Sequence, residues 1–302
     1  MPTPSRSAAA RRRASRPPRG FSSSALLVGA LVGALVGTLS ACTSGTPGPT
    51  GASAGASPSP TVPDPSAADV RSTGTPLTPN GITVTALPGT TTTLAANEAD
   101  DGSVRLRLVV TPAAPTGPLA WLTGPDGSTA AVLEDGSALI TGADGSFLVG
   151  LTAPTPSARF TVVGTPAAEL RVDRVAPEGL AESPPTAPVS TWIAGQAVVS
   201  AVWGEAEGGR SLEITPSPWA RTGTLAAQQA LWSQLVAEHP EANSPSMHEQ
   251  LLCHVLGAAG KTTWHIEPWR PQVDALTMLR TRCNPTAADA TAAPAASAAT
   301  GG

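Results

Sequence analysis

The residues best suited to chemistry lie between Lys261 and Arg270. If residues 262–267 form a strand, side chains alternate along it, so Trp264 and Ile266 take one face and His265 and Glu267 the other. An imidazole and a carboxylate on one face can hydrogen-bond or act as an acid–base pair. Arg270 can pair with a carboxylate, and Trp269 can stack on a ligand. Lys261, the single lysine of the chain, and His254 are further candidate binding groups. The bland alternative is a surface His–Glu pair and an arginine that ties down the C-terminal segment. His265, Glu267 and Arg270 are therefore the candidate catalytic residues, and His254, Lys261 and Trp269 the candidate binding residues.

Two neighbouring patterns do not carry chemistry. His248 and His254 stand six residues apart, whereas a zinc-binding helix needs a spacing of four to bring both to one face. No metal and no cofactor are expected. Cys253 next to His254 is a poor nucleophile–base pair, because adjacent helical side chains point about 100° apart. Cys253 and Cys283 read better as one disulfide, since an exported protein oxidises an even pair. It would close about 30 residues and contribute roughly 3–4 kcal/mol.

These residues need a scaffold. Residues 189–285 read as an α+β domain. Strands are expected at 189–193, 197–203, 211–215 and 262–267. Thr224 caps a helix carrying Leu225, Gln228, Leu231, Trp232, Leu235 and Val236 on one face. Ser244 and Pro245 start a second helix with Met247, Leu251, Val255 and Ala258 inward. Residues 77–182 read as an all-β sandwich or meander. Val104, Leu106, Leu108 and Val110 alternate with Arg105 and Arg107, as in a half-buried strand. Asp-Gly pairs at 126, 135 and 144 recur every nine residues between short apolar runs, and predict type I′ hairpin turns.

Upstream, residues 1–41 read as a signal peptide. Six arginines and no acid precede an uncharged stretch from Phe21 to Cys42. Its apolar core of about 15 residues is short of the roughly 20 that span a bilayer. Leu39-Ser40-Ala41-Cys42 resembles the bacterial lipobox, which makes Cys42 the expected lipid attachment site. General secretory and twin-arginine export both remain open. Residues 42–76 read as a lipid-anchored disordered linker, because 24 of the 34 residues after Cys42 are Pro, Gly, Ser or Thr. Its Gly51-Ala52-Ser53-Ala54-Gly55 matches a nucleophile elbow, but that motif needs a strand before it and a helix after it, and the composition here predicts neither. Residues 286–302, mostly Ala, Thr, Ser and Gly, read as a disordered tail.

Composition sets outer limits. Thirty Gly and 32 Pro in 302 residues require long linkers, and 13% charged residues is about half the usual share. Without the N-terminal arginines, 12 cations face 22 acids, a net of −10. An acidic body argues against a nucleic-acid partner.

Ser246-Met247 with Gln250, Cys253-His254, Lys261, Trp264, Glu267-Pro268-Trp269-Arg270-Pro271 and Cys283-Asn284-Pro285 resemble an uncharacterised domain of exported actinobacterial proteins, several of them lipoproteins. The resemblance covers residues 190–285 and is quite specific. It implies location and a two-Cys domain and transfers no catalytic residue. The expected function is a lipid-anchored extracytoplasmic protein on the outer face of the cytoplasmic membrane. It would bind a cell-wall component or a protein partner. The alternative is an extracytoplasmic hydrolase using His265 and Glu267. A transporter's solute-binding protein would need alternating βαβ units, which are missing.

Overall fold

The computed structural model describes residues 63–111, 117–175 and 187–292. The expected signal peptide, Cys42 as the expected lipid attachment site and the start of the expected linker lie outside these residues, as does the expected tail beyond 292. A helix α1 (Ala67–Thr73) leads into strands β1 (Thr75–Leu77), β2 (Val84–Pro88), β3 (Thr92–Glu98), β4 (Val104–Val110) and β5 (Gly117–Thr123). Then come β6 (Thr129–Val132), β7 (Ala138–Thr141), β8 (Phe147–Leu151), β9 (Ala158–Val163), β10 (Glu169–Arg174) and β11 (Val189–Ala194). The C-terminal part adds β12 (Val198–Ala206), β13 (Gly209–Pro216), α2 (Leu225–Glu238), α3 (Pro245–Gly257), β14 (Trp264–Ile266), α4 (Ala275–Arg280) and α5 (Ala287–Ala292). None of the helices among the described residues is long and apolar enough to cross a membrane.

The β region is a sandwich. One sheet has the order β1-β2-β5-β10-β9 and the other β3-β4-β11-β8-β7-β6. Alternation works as the sequence indicates: Val104, Leu106, Leu108 and Val110 are buried, whereas Arg105 and Arg107 are exposed. Leu106, Leu108 and Val110 meet Val84, Leu122, Ile140, Leu151, Leu170 and Val172 in one core.

Three differences from the sequence expectation have physical causes. The Asp-Gly turns are not type I′. In the loops 99–103, 133–137 and 142–146 only the glycine has positive φ, at 76°, 78° and 81° for Gly102, Gly136 and Gly145. The hydrogen bond from the Gly136 N–H to Leu133 and that from the Leu133 N–H to Ser137 define a three-residue loop with a glycine bulge. The aspartate explains the choice, because Asp101, Asp135 and Asp144 each accept from the backbone and hydroxyl of the serine two residues on.

Residues 63–76, read as linker, are ordered. Ser66 and Asp69 form a reciprocal capping box for α1, and Val70 of that helix is fully buried. Ordered structure likewise runs past residue 286 into α5. Finally, β11 does not belong with the C-terminal elements. It lies between β4 and β8, with Val189 opposite Leu108 and Ile193 opposite Val104.

The β12-β13-β14 sheet and helices α2 and α3 form the α+β part. It is joined firmly to the sandwich. The backbone N–H groups of Leu225 and Ala226, at the start of α2, donate to Asp135 Oδ2 at 2.8 Å and Ser137 Oγ at 3.1 Å. A carboxylate there complements the helix N-terminus. Burial opposes ionisation of Asp135, yet the hydrogen bonds from Ser137 and Leu225 hold its carboxyl below the ordinary carboxylate range. Trp219 lies against Gly150 of β8, where a Cβ would collide with the indole ring. Leu139 and Ala194 consequently share a core with Trp219, Leu231, Leu235, Met247, Leu251 and Trp264.

Candidate functional site

The candidate residues sit on the three-stranded sheet. Leu212 and Ile214 alternate with Ser211 and Glu213 on β13, and pairing sets Ile214 opposite Trp264, Glu213 opposite His265 and Leu212 opposite Ile266. Leu212, Ile214, Trp264 and Ile266 are fully buried under the helices. Ser211, Glu213, His265 and Glu267 therefore share the other face, as alternation requires.

The face carries a continuous polar chain. His265 Nε2 lies 3.3 Å from Glu213 Oε2, and its Nδ1 lies 3.3 Å from Ser211 Oγ. The Ser211 hydroxyl donates to Glu267 Oε1 at 3.1 Å. Arg270 donates from Nε to Glu267 Oε2 at 2.7 Å and from Nη2 to Glu207 Oε2 at 2.6 Å. Its third group, Nη1, reaches the carbonyl of Pro285 at 3.4 Å and so ties down the C-terminal segment. Glu207 is aimed by the β12–β13 turn, where Glu207 and Gly208 have φ of 52° and 86°, the type I′ signature.

Burial divides this chain into two halves. The side chains of Glu267 and Arg270 are each 2% exposed, whereas those of His265 and Glu213 are 43% and 52% exposed. Gln250 of α3 closes the buried half, donating to the Glu267 carbonyl and accepting from its N–H, both at 2.9 Å. Ser246 of the same helix donates to the Arg270 carbonyl at 2.8 Å. A buried carboxylate with an arginine on one oxygen and a hydroxyl on the other is a satisfied ion pair. Its oxygens are committed, and the Ser211 proton is committed to it. Ser211 is 2% exposed and lies at the floor of the hollow beside His265, with its hydroxyl proton directed to Glu267.

The accessible half is His265 with Glu213. Beside them is a shallow hollow of about 210 Å³ lined also by Val202, Trp203, Gly204 and Glu205. Arg210 stacks on Trp203 at 3.8 Å from the ring centre. Here an imidazole could exchange a proton or hydrogen-bond a ligand.

The other candidates are scattered. His254 is buried below the sheet, where its Nε2 faces the His265 carbonyl at 2.8 Å and its ring stacks on Trp264. Burial pushes its pKa down, which favours the neutral form of this core imidazole. Lys261 is exposed in the turn after α3, a turn held by Arg221, which donates to the carbonyls of Ala259, Lys261 and Thr262. Trp269 is 44% exposed, stacked by Arg270 at 4.5 Å and lying over Gly209. Among the described residues no three His, Cys, Asp or Glu side chains are grouped to hold a metal. Cys253 and Cys283 are joined as a disulfide. Ser211, Glu213, Glu207 and Gln250 are the participants that sequence reasoning missed. The alternation of Ser211 and Glu213 with Leu212 and Ile214 was the available signal.

Comparison with known proteins places this region. Residues 198–286 match the family described as "Protein of unknown function (DUF2599)". Uncharacterized protein Rv0477 of Mycobacterium tuberculosis and Uncharacterized protein Mb0487 of Mycobacterium bovis are each 40% identical over 83 residues, 25% of this chain and 56% of theirs. Uncharacterized protein ML2452 of Mycobacterium leprae is 30% identical over 83 residues, 25% of this chain and 68% of its own. The chain thus spans about half the length of the tuberculosis and bovis relatives. No solved structure matches it.

Proposed function

The chain belongs to the family described as a protein of unknown function (DUF2599), and we propose that this member is a lipid-anchored extracytoplasmic binding module for a cell-wall component. The observation that carries the binding reading is the state of Glu267. A general acid or base must reach the proton it moves. Glu267 is 2% exposed, and its two oxygens already accept from Arg270 and Ser211. Those bonds make it a staple between β14 and the C-terminal segment. What faces solvent on the same surface is His265, Glu213 and the half-exposed Trp269, groups suited to contact.

Anchoring is supported by the ordered set of a basic n-region, a short apolar core and Leu39-Ser40-Ala41-Cys42. Two or more acyl chains on Cys42 would give stable attachment where one would be marginal. Cys42→Ser, expressed in a related host and fractionated, is expected to leave the membrane fraction and to lack acyl mass at its N-terminus. A variant that stays in the membrane with unchanged N-terminal mass would overturn the anchor.

A further inference from the structure

A second cavity lies where the sandwich meets the α+β part. It measures about 390 Å³ and is lined by Trp192, Trp219, Asp100, Asp101, Ser103 and Thr222, with Ala99 and Pro218. That is within the range of small-ligand sites, which favour such junctions. From its position and chemistry we infer that it is a saccharide-binding site, which rests on the binding-module reading above and names the ligand class.

Three observations lead to a polyhydroxylated ring. First, two indoles from different elements line one cavity. Trp192 projects from β11, and Trp219 precedes the turn into α2. The apolar C–H face of a pyranose suits the half-buried ring of Trp192, whereas Trp219, 3% exposed and packed on Gly150, backs the cavity from the core. Second, donors and acceptors are both left over. Trp219 is 3% exposed, yet its indole N–H has no acceptor among the described residues. The exposed carboxylate of Asp100 makes no hydrogen bond or ion pair among the described residues, and Asp101 uses only Oδ1, towards Ser103. A hydroxyl both donates and accepts, so a sugar can satisfy both kinds of group. A quaternary ammonium ligand would offer the indole no acceptor, and Arg105 already holds a positive charge 5.8 Å from the Trp192 ring. A nucleotide would set its phosphates against two carboxylates.

Third, the acidic loop is held in place. Asn80, in the left-handed region at φ 50°, donates from its N–H to the Gly102 carbonyl and from Nδ2 to the Asp101 carbonyl at 2.7 Å. Its Oδ1 accepts from the Gly195 N–H at 2.9 Å, just after the strand that carries Trp192. One side chain therefore fixes the carboxylate loop relative to the Trp192 strand. Such fixed geometry lowers the ordering cost of binding.

The test is titration of the full mature chain with neutral trisaccharides, namely cellotriose, maltotriose and triacetylchitotriose, followed by tryptophan fluorescence and saturation-transfer NMR. At least one sugar is expected to shift the emission. Trp192→Ala should weaken that sugar at least about tenfold, since aromatic contacts and buried area are both lost. Asp100→Asn, at an exposed position that leaves packing untouched, should weaken it roughly tenfold through the lost charged acceptor. Leu276→Ala, at a 74% exposed position of α4 outside the cavity, should leave binding unchanged. Binding that survives Trp192→Ala and Asp100→Asn overturns the site, and saturation by choline in place of every sugar overturns the ligand class. If no sugar binds while the chain is still retained by sedimented cell wall, this site is wrong and the binding-module reading stands. If sugars bind but the wall does not retain the chain, the module reading fails instead.

Discussion

Arg270→Met is expected to cost about 3–5 kcal/mol, because it strands the Glu267 carboxylate at 2% exposure without its cation. At roughly 2–4 °C per kcal/mol for a body of this size, the melting temperature should fall by about 10 °C. The double variant Glu267→Gln/Arg270→Met is expected to be more stable than Arg270→Met alone, since it removes the stranded charge along with its partner. Glu267→Gln by itself keeps the side chain's shape and the Gln250 bonds to its backbone, so its loss should be the smaller of the two singles. Thermal and urea unfolding of the four proteins closes the cycle. Equal melting of Arg270→Met and the native chain would mean that the pair does not hold this domain together.

Removing the disulfide is the second large effect. Cys253 lies in α3 and Cys283 follows α4, 30 residues on. The loop-closure cost it spares the folded chain is roughly 3–4 kcal/mol. Besides the Arg270 bond to the Pro285 carbonyl and the Gln272–Glu249 hydrogen bond, the segment it clips is held mainly by apolar contact. Its apolar cluster is Cys253, Val273, Met278 and Cys283 with Ala290 packed alongside, while Leu276 and Leu279 of α4 are 74% and 51% exposed. Cys253→Ser/Cys283→Ser should therefore melt about 10 °C lower and be cut by protease first near α4. Unchanged melting together with unchanged protease resistance would contradict this account.

How far the fold could be read depended on whether the signal was local. Alternation placed Trp264 and Ile266 inward and His265 outward correctly, because the period-2 rule needs only neighbours. The same rule put Glu267 beside His265, and Arg270 three residues on was a legible partner, but nothing local could say that Glu207 and Pro285 would hold that arginine. Those partners come from a turn some 60 residues earlier and from the C-terminal segment. Ser211 and Glu213 were missed for the same reason: β13 is brought to β14 across about 50 intervening residues. β11 was assigned to the wrong body because a half-buried strand carries no mark of the sheet it joins. By contrast, the order of residues 66–76 was legible. Ser66 and Asp69 have the capping-box spacing, and Val70 supplies the buried side chain. Composition rich in Pro, Gly, Ser and Thr outweighed that local pattern.

The most direct test of a binding module is to incubate the purified chain with insoluble actinobacterial cell wall, sediment it, and assay the supernatant for new reducing ends and soluble fragments. The account predicts that the chain sediments with the wall and that the supernatant gains no fragments over time. Release of fragments that stops in Glu267→Gln or His265→Ala would establish a hydrolase, and a chain left wholly in the supernatant would contradict the wall-binding reading.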